Sequence, residues 1–584
     1  MKNDLSTEKS PYLQRASRSA VRWQRWGQEA FSRAMSERKP IFLSVGYSNS
    51  HWCQVMEAES FSNPEIARRL NQNFIPLKVD REERPDLDRL YSKVQAWATG
   101  QESSPLHLFL SPHLKAFFAG AYFPPEARYG LPPFAELLDK MAELWNQGDP
   151  RLESQAAEAM QLLAQDALSW AQPRMETEDG LKLCEKNLLS LQDKKGGGFG
   201  TAPKFFYFEA LRFLLRLPEQ RAWVEKSLKE MAKGAVFDLV SGGLHRFSED
   251  GEWRRPHFEK RLVENAQFCL LLAESIRFQD SPVLRWILQR NLNWIESELK
   301  KPNGLYATAL LSFGSSKDEE FYSWRKSDLP TQGPLSIDSL GGLLDLSQPE
   351  NEFLIRLKAW PQTSSTLESV TELCEALHTQ RSSEKQSPGA SPLSVVSENA
   401  ILIQAWIEAS RVFSEVVWME RAKALGERLW SAAWQGGRLS HGVYSDLVLA
   451  EGFLEDAAQL GLAFVGLYQR TKEEKWRSRS EELARWILES FYDSERGFLW
   501  YAPKDQEDLL MNFQDVLDSH QPASSAVAFE FLSRSQELEL RLNLEEPTQR
   551  LEKHLRALAE KQIGGFTRFS VVLADKTAES HSAC

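Results

Sequence analysis

After about residue 180 the chain almost stops forming strands and begins to repeat itself. Long helical patterns are separated by similar glycine loops: "GGGFGTAP" at Gly197, "SGGLHRF" at Gly242, "PNGLYA" at Gly304, "QGGRLSHG" at Gly436, "ERGFLWYA" at Gly497 and "IGGFTRF" at Gly564. Their separations are 45, 62, 132, 61 and 67 residues, and the 132 reads as two periods with one loop obscured in the irregular stretch 312–395. A repeat of about 60 residues holds two helices and a loop, and a helical hairpin needs its neighbours to bury its apolar face. Stacked hairpins either run on as an open solenoid or close on themselves. The expectation here is closure into an α/α toroid with its loops gathered at one mouth.

The first 125 residues have a different texture. "VRWQRWGQEAFSRAMSERK" has helical period with Trp23, Trp26, Ala30 and Phe31 on one face. The strand "PIFLSV" follows, then a helix from His51, then a second over "NPEIARRLNQN" with Asn63 as N-cap and Pro64 at its first position. "FIPLKVD" is a strand, "RPDLDRLYSKVQAWA" a helix, and "PLHLFLS" with "KAFFAGAYF" an antiparallel pair. This alternation predicts an α/β layer. With "QPRMETEDG" (172–180) as linker, the domains fall at 1–171 and 180–584, and "SSEKQSPGASPLS" (382–394) is a surface loop.

Composition narrows the function. A formal charge of 70 − 82 = −12 without any Lys/Arg block argues against nucleic acid. No apolar run approaches the ~18 residues of a membrane span, and "MKNDLSTEKSPYLQRA" lacks a signal-peptide core. Five scattered cysteines (Cys53, Cys184, Cys269, Cys374, Cys584) fit reduced, cytoplasmic thiols and no zinc cluster. Neither a G-x-G-x-x-G nor a Walker sequence occurs, so no metal, nucleotide or other cofactor is expected.

The segment "GYSNSHWCQVMEAE" (46–59) follows a buried strand, where a thioredoxin-like layout places a C-x-x-C at a helix start. There the helix dipole stabilises the first thiolate and the second cysteine resolves the mixed disulfide. Here the frame reads Ser50-His51-Trp52-Cys53. A serine hydroxyl cannot exchange disulfides, but it is a good N-cap. Pro105, just before "LHLFLS", occupies the position of the cis-proline that faces the motif in such folds.

The residues also carry a family resemblance. "SPYLQRA", "PIFLSVGYS", "HWCQVME", "FIPLKVDREERPDLDRLY", "AYFPP", "GGFGTAPKF", "GGLHRFS" and "PHFEK" resemble the spermatogenesis-associated protein 20 family, over residues 10–270. The resemblance implies a DsbH-type thioredoxin-like domain followed by a six-hairpin (α/α)6 toroid, similar to N-acylglucosamine 2-epimerases and six-hairpin glycosidases. It also shows departures. Family members usually have C-H-W-C at Ser50–Cys53 and Gly-Gly-Trp-Pro at Glu102-Ser103-Ser104-Pro105. A Trp-Asn element reads "VSENAIL" with Ser397 and Glu398, and a Pro-Ser-Gly-Asn-Ser element reads Pro522-Ala523-Ser524-Ser525-Ala526. Changes in several separate elements imply lost or redirected activity.

"SGGLHRFSEDGEWRRPHFEKRLVEN" is the densest polar and aromatic cluster, with His245, Arg246, Trp253, His257, Glu259, Lys260, Glu264 and Asn265 within 21 residues. At a toroid mouth, His257, His245, Arg246 and Glu259 would suit proton abstraction beside a carbonyl, or hold sugar hydroxyls. Trp253, Lys260, Glu264, Asn265 and Lys204 of "TAPKF" would line the site. The bland alternatives are a surface Lys260–Glu264 pair on a helix and a loop merely turned by Pro203. Glu252 with Glu259 could form a glycosidase pair, and "DREERPD" (80–86) could form a domain-interface ion network.

The leading reading is a toroid that binds a sugar-like or small polar ligand beside a thioredoxin-like domain that has lost disulfide exchange. The competing readings are a carbohydrate isomerase or hydrolase using His257 and Glu259, a non-enzymatic scaffold docking a protein partner through Trp52, and a monothiol redox protein acting through Cys53.

Overall fold

A computed structural model describes residues 3–169, 180–312, 314–329, 342–345, 352–445, 447–449, 451–519, 521–559 and 565–582. Most of the linker 172–180, part of 312–395, Gly564 and Cys584 lie outside the described residues. The chain forms two compact units. One comprises Met1–Gln172 with Tyr444–Leu449 and Trp500–Gln514, and the other comprises the remaining residues from Pro173 onward. The first unit thus includes two short segments that the sequence reading assigns to the 180–584 stretch.

In the first unit the elements run α1 (Pro11–Ala16), α2 (Gln28–Glu37), β1 (Ile41–Gly46), α3 (His51–Met56), α4 (Pro64–Asn73), β2 (Ile75–Asp80), α5 (Pro85–Thr99), β3 (Leu106–Leu110), β4 (Ala116–Gly120), α6 (Phe134–Gln147) and α7 (Pro150–Ser169). The sheet order is β2-β1-β3-β4. β1 is parallel to β2, with Ile41 opposite Ile75, and antiparallel to β3, with Ile41 opposite Leu110. Every residue of β1, β2 and β3 is buried, which explains why these strands read as unbroken apolar runs rather than alternating ones. Asn63 accepts from Glu65 N–H and Ile66 N–H, with Pro64 beginning α4. On one face of the sheet Phe42, Phe61 and Phe123 pack on His107, and Phe134 stacks on Phe123. Burial drives that imidazole down to about 3, so it is a neutral core residue.

The expected helix over 21–39 begins only at Gln28. Residues before it are extended: Gln24 N–H donates to Pro76 O (2.9 Å) and Lys78 N–H to Gln24 O (3.2 Å), which adds a backbone pairing beside β2. Trp23 is fully buried and stacks on Phe61 edge-on. The helical spacing of the tryptophans was therefore coincidental.

The second unit is a closed ring. Its inner helices are Phe208–Arg216, Leu262–Phe278, Val396–Phe413, Leu454–Thr471, Ser524–Ser535 and Thr567–Ser582, each packed on the next, and the last packs back on the first. The helices Arg221–Lys233, Pro282–Trp294, Val416–Ala433, Glu474–Ser490 and Glu545–Ala559 pack outside them, and Gly180–Leu191 packs on Thr567–Ser582. The architecture is an α/α toroid of six hairpins, not an open solenoid. Sequence pattern explains the two shells. Arg221–Lys233 buries only Val224, Ser227, Leu228, Met231 and Ala232, one helical stripe, whereas Leu262–Ile276 is buried at every position. The glycine loops are sterically required where they meet the outer shell. Gly243 has φ 86°, and a Cβ there would lie 2.6 Å from the Trp294 ring.

One network of charged groups inside the ring is paired throughout. Arg212 bonds Glu209 (3.0 Å) and Glu274 (2.6 Å), Arg216 bonds Glu274 (2.6 Å) and Asp575 (3.1 Å), and Arg568 bonds Glu209 (3.2 Å) and Glu530 (2.5 Å). Buried ions are tolerated only when so compensated.

Candidate functional site

In the thioredoxin-like unit, Ser50 caps α3: its Oγ accepts from Cys53 N–H at 3.3 Å. Cys53 is 4 % exposed, and its Sγ lies 3.7 Å from Ser104 Oγ. The Ser104–Pro105 bond is cis, so the proline sits in the configuration the layout implies. His51 and Trp52 are exposed, and the indole packs on Tyr122 at 5.1 Å. The thiol is closely surrounded, since a Cβ added at Gly46 would come within 2.6 Å of both Cys53 Sγ and Tyr12 Oη. Cys184, Cys269 and Cys374 are also free and buried, each with its thiol pushed upward by burial.

The 242–265 cluster divides into two groups. His245 is buried between Phe258 and Tyr322, and burial followed by Lys260 holds it well below the usual imidazole range. Lys260 precedes the helix instead of lying on it, and donates to Asp238 Oδ2 and Gly242 O, both at 2.9 Å. Burial lowers its amine to about 8 against the pull of Asp238. The expected Lys260–Glu264 surface pair is thus replaced, with Glu264 bonding Arg261 at 3.1 Å. Asn265 exchanges hydrogen bonds with the Leu244 backbone. Trp253, 1 % exposed at φ 62°, donates to Gly196 O and stacks on Phe206. Lys204 bonds Asp193 at 2.6 Å and lies over the Trp253 ring. These five side chains hold the glycine loops together.

Arg246, His257, Glu259 and Glu264 form the second group. Arg246 bonds Glu259 at 2.7 Å, and burial notwithstanding, Arg246 and Arg261 keep that carboxyl below its usual range. His257 stacks on Phe247 at 4.7 Å, with Nδ1 3.7 Å from Glu249; burial lowers its pKa. Glu252 pairs with Arg254 at the surface, while Glu259 is buried. Arg246 and Glu264 border a shallow pocket with Phe205, Phe206, Tyr207 and Phe208.

Tyr207 and Phe208 also border a larger cavity of about 300 Å³, at the starts of the inner helices Phe208–Arg216 and Thr567–Ser582. Its lining includes the apolar side chains of Leu188, Leu191, Phe199 and Tyr207 and the polar side chains of Glu209, Gln267, Asp518 and Thr567. Tyr207 adopts a left-handed φ of 47°, a conformation uncommon for a bulky residue, and the preceding Ala202–Pro203 bond is cis. Asp518 Oδ1 accepts from Ala523 N–H, and Oδ2 from Thr567 Oγ1 and Arg568 N–H, all at 2.7 Å. Burial raises its carboxyl to about 8 against those bonds. None of Tyr207, Glu209, Gln267 or Asp518 stands out in the sequence. Only Glu209 leaves a trace, as a carboxylate in the first helical turn after an aromatic loop. Elsewhere at the inner-helix starts, His441 Nδ1 lies 2.8 Å from Asp456 Oδ2, both buried. Among the described residues no group of three or more His, Cys, Asp or Glu is placed to hold a metal ion, and no helix is long and apolar enough to cross a membrane.

Fold and geometry together define a thioredoxin-like domain joined to an α/α toroid. Residues 2–164 match the model of a DsbH-type thioredoxin-like family, described as a protein of unknown function, DUF255. Human spermatogenesis-associated protein 20 is 37% identical over 321 residues, 53% of this chain and 41% of that protein. An uncharacterized protein of Caenorhabditis elegans is 28% identical over 587 residues, 91% of this chain and 80% of that one. The chain therefore matches about two fifths of the human relative's length. Among solved structures, a D-mannose isomerase (11% identity, TM-score 0.43) and a cellobiose 2-epimerase from Spirochaeta thermophila (12%, TM-score 0.42) each align with 65% of this chain, and with 87% and 82% of their own.

Proposed function

We propose that the toroid binds a small polar, sugar-like ligand in the cavity beside Tyr207, and that the thioredoxin-like domain does not exchange disulfides. The observation that carries the first part is the cavity itself. Its volume of about 300 Å³ is at the lower end of small-molecule sites, ~300–1,000 Å³. A lining that combines apolar and aromatic side chains with Glu209, Gln267 and Asp518 suits a pyranose, whose C–H face packs on rings while its hydroxyls bond carboxylates and amides. The second part is supported by Ser50, whose hydroxyl serves the helix cap, and by the close packing about Cys53. Crystals soaked with a panel of mono- and disaccharides test the ligand reading. Sugar density in contact with Tyr207 and Gln267 supports it; a panel that leaves the cavity empty while binding nothing in solution sinks it.

A second reading, turnover of such a ligand by isomerisation or hydrolysis, draws support from the shallow pocket of Arg246 and Glu264, which shares Tyr207 and Phe208 with the cavity. It expects His257→Ala to abolish conversion of a bound sugar while its affinity and the thermal melt stay close to wild type. Unchanged conversion by that variant removes His257 from the chemistry.

A further inference from the structure

The charges around the cavity do not balance. Glu209 is neutralised twice, by Arg212 at 3.0 Å and by Arg568 at 3.2 Å. Those arginines belong to the interior network with Glu274 and Glu530, where acids and bases alternate. Among the described residues Asp518 has no such partner. Its three hydrogen bonds come from two backbone amides and one hydroxyl, all neutral donors. Among the described residues that line the cavity there is no lysine, arginine or histidine.

With its carboxyl raised to about 8, Asp518 on its own is largely protonated near neutral pH, and a bound cation is what would draw it into the ionised form. A carboxylate offers about four lone-pair positions. Two bonds occupy Oδ2 and one occupies Oδ1, so Oδ1 retains an acceptor position. The donors hold the group rigidly at the starts of the helices Ser524–Ser535 and Thr567–Ser582, in a cavity that Phe199 and Tyr207 also line. An ammonium bonded to a carboxylate gains a charge-assisted hydrogen bond, and an aromatic face adds attraction for a cation. A neutral hydroxyl in the same place gains neither.

Resting on the ligand reading above, we propose that the ligand of this cavity carries a protonated amine and that Asp518 is its counter-ion. The ligand class is a small hydroxylated amine, an amino sugar being the simplest example. Glu209, already satisfied, belongs to the polar lining and does not supply the charge.

Isothermal titration of the full chain with matched probes decides the matter: D-glucosamine against D-glucose and N-acetyl-D-glucosamine, which share the ring and lack the cation. The expected result is that glucosamine binds at least tenfold more tightly than either neutral sugar, and that raising the salt concentration narrows the gap. Asp518→Asn keeps one of the two accepting oxygens, enough for the cap on Arg568 N–H and Thr567, and is expected to erase the preference while leaving weak binding of all three. If the neutral sugars bind as tightly as glucosamine to the wild-type chain, the amine assignment is overturned and the ligand reading stands. If none of the three binds, both fall. Should Asp518→Asn fail to fold, the wild-type comparison still decides, and glucosamine density with its nitrogen away from Asp518 overturns the assignment.

Discussion

At the scale of single residues, an oxygen stands where a sulfur would complete a redox pair. Ser50 Oγ bonds Cys53 N–H, so the side chain three residues before Cys53 already points across the first turn of α3. Ser50→Cys is therefore expected to create an oxidisable pair, since a thiol at a helix start is acidified by the backbone dipoles. Thiol titration after mild oxidation should show two fewer reactive groups in the denatured variant than before oxidation, against no change in the wild type. Equal counts would mean the geometry is not that of a C-x-x-C. His441 makes a different prediction. Burial opposes its charge, but Asp456 outweighs burial and lifts it to about 9, above the 6.5 of an unfolded histidine. A raised folded pKa stabilises fully below pH ~6.5, and that stabilisation is lost as pH rises towards 9; it amounts to roughly 3 kcal/mol. Denaturant melts of wild type should weaken across pH 6.5–9, and His441→Gln should flatten that slope. The capping role of Ser50 was legible in the sequence because it is local. The role of Lys260 was not, because its partner Asp238 lies 22 residues away and the accompanying Arg381 lies 143 from that aspartate.

At the scale of elements, periodicity made the helical hairpins of the second unit legible, yet it misread residues 21–27. Two tryptophans three apart fit a helix face or an extended edge equally, and Trp23 chose the sheet's core. The α/β alternation and the order of elements were legible because strands buried on both faces leave continuous apolar runs. The candidate cavity was not, because Glu209 and Asp518 are 309 residues apart in sequence (518 − 209) and meet only through ring closure. Glycine loops carry their own test. Gly243→Ala must place a methyl 2.6 Å from Trp294 at φ 86°, so a loss of about 2–4 kcal/mol is expected. Gly251, whose Cβ would meet nothing within 4 Å, is the control: Gly251→Ala should leave the urea midpoint nearly unchanged. Similar midpoints for the two variants would show that the loop yields.

At the scale of the whole toroid, the repeat length made hairpins legible but not the contact that seals them. That contact is ionic as well as apolar: Arg568 at the start of one inner helix bonds Glu209 at the start of another, and Arg216 bonds Asp575 further along the same pair. Arg568→Met leaves Glu209 and Glu530 short of a buried partner, and should cost about 3–5 kcal/mol. Adding Glu530→Gln should recover part of that in a thermal melt. Full additivity of the two losses would argue that the network is not coupled.

Ring closure also sets a schedule for synthesis. Glu209 and Arg568 are separated by 359 residues, so the first inner helix emerges from the ribosome long before the helix that covers its flank exists. During that interval Glu209 and Arg212 have only each other and Glu274, and the apolar side of Phe208–Arg216 that meets Thr567–Ser582 has no cover. An open ring is an incomplete solenoid, and its two ends are complementary to each other. Pairing of one open ring with another therefore competes with closure until the last helix is in place, and the long-range pairing that makes the toroid is also its hazard during assembly.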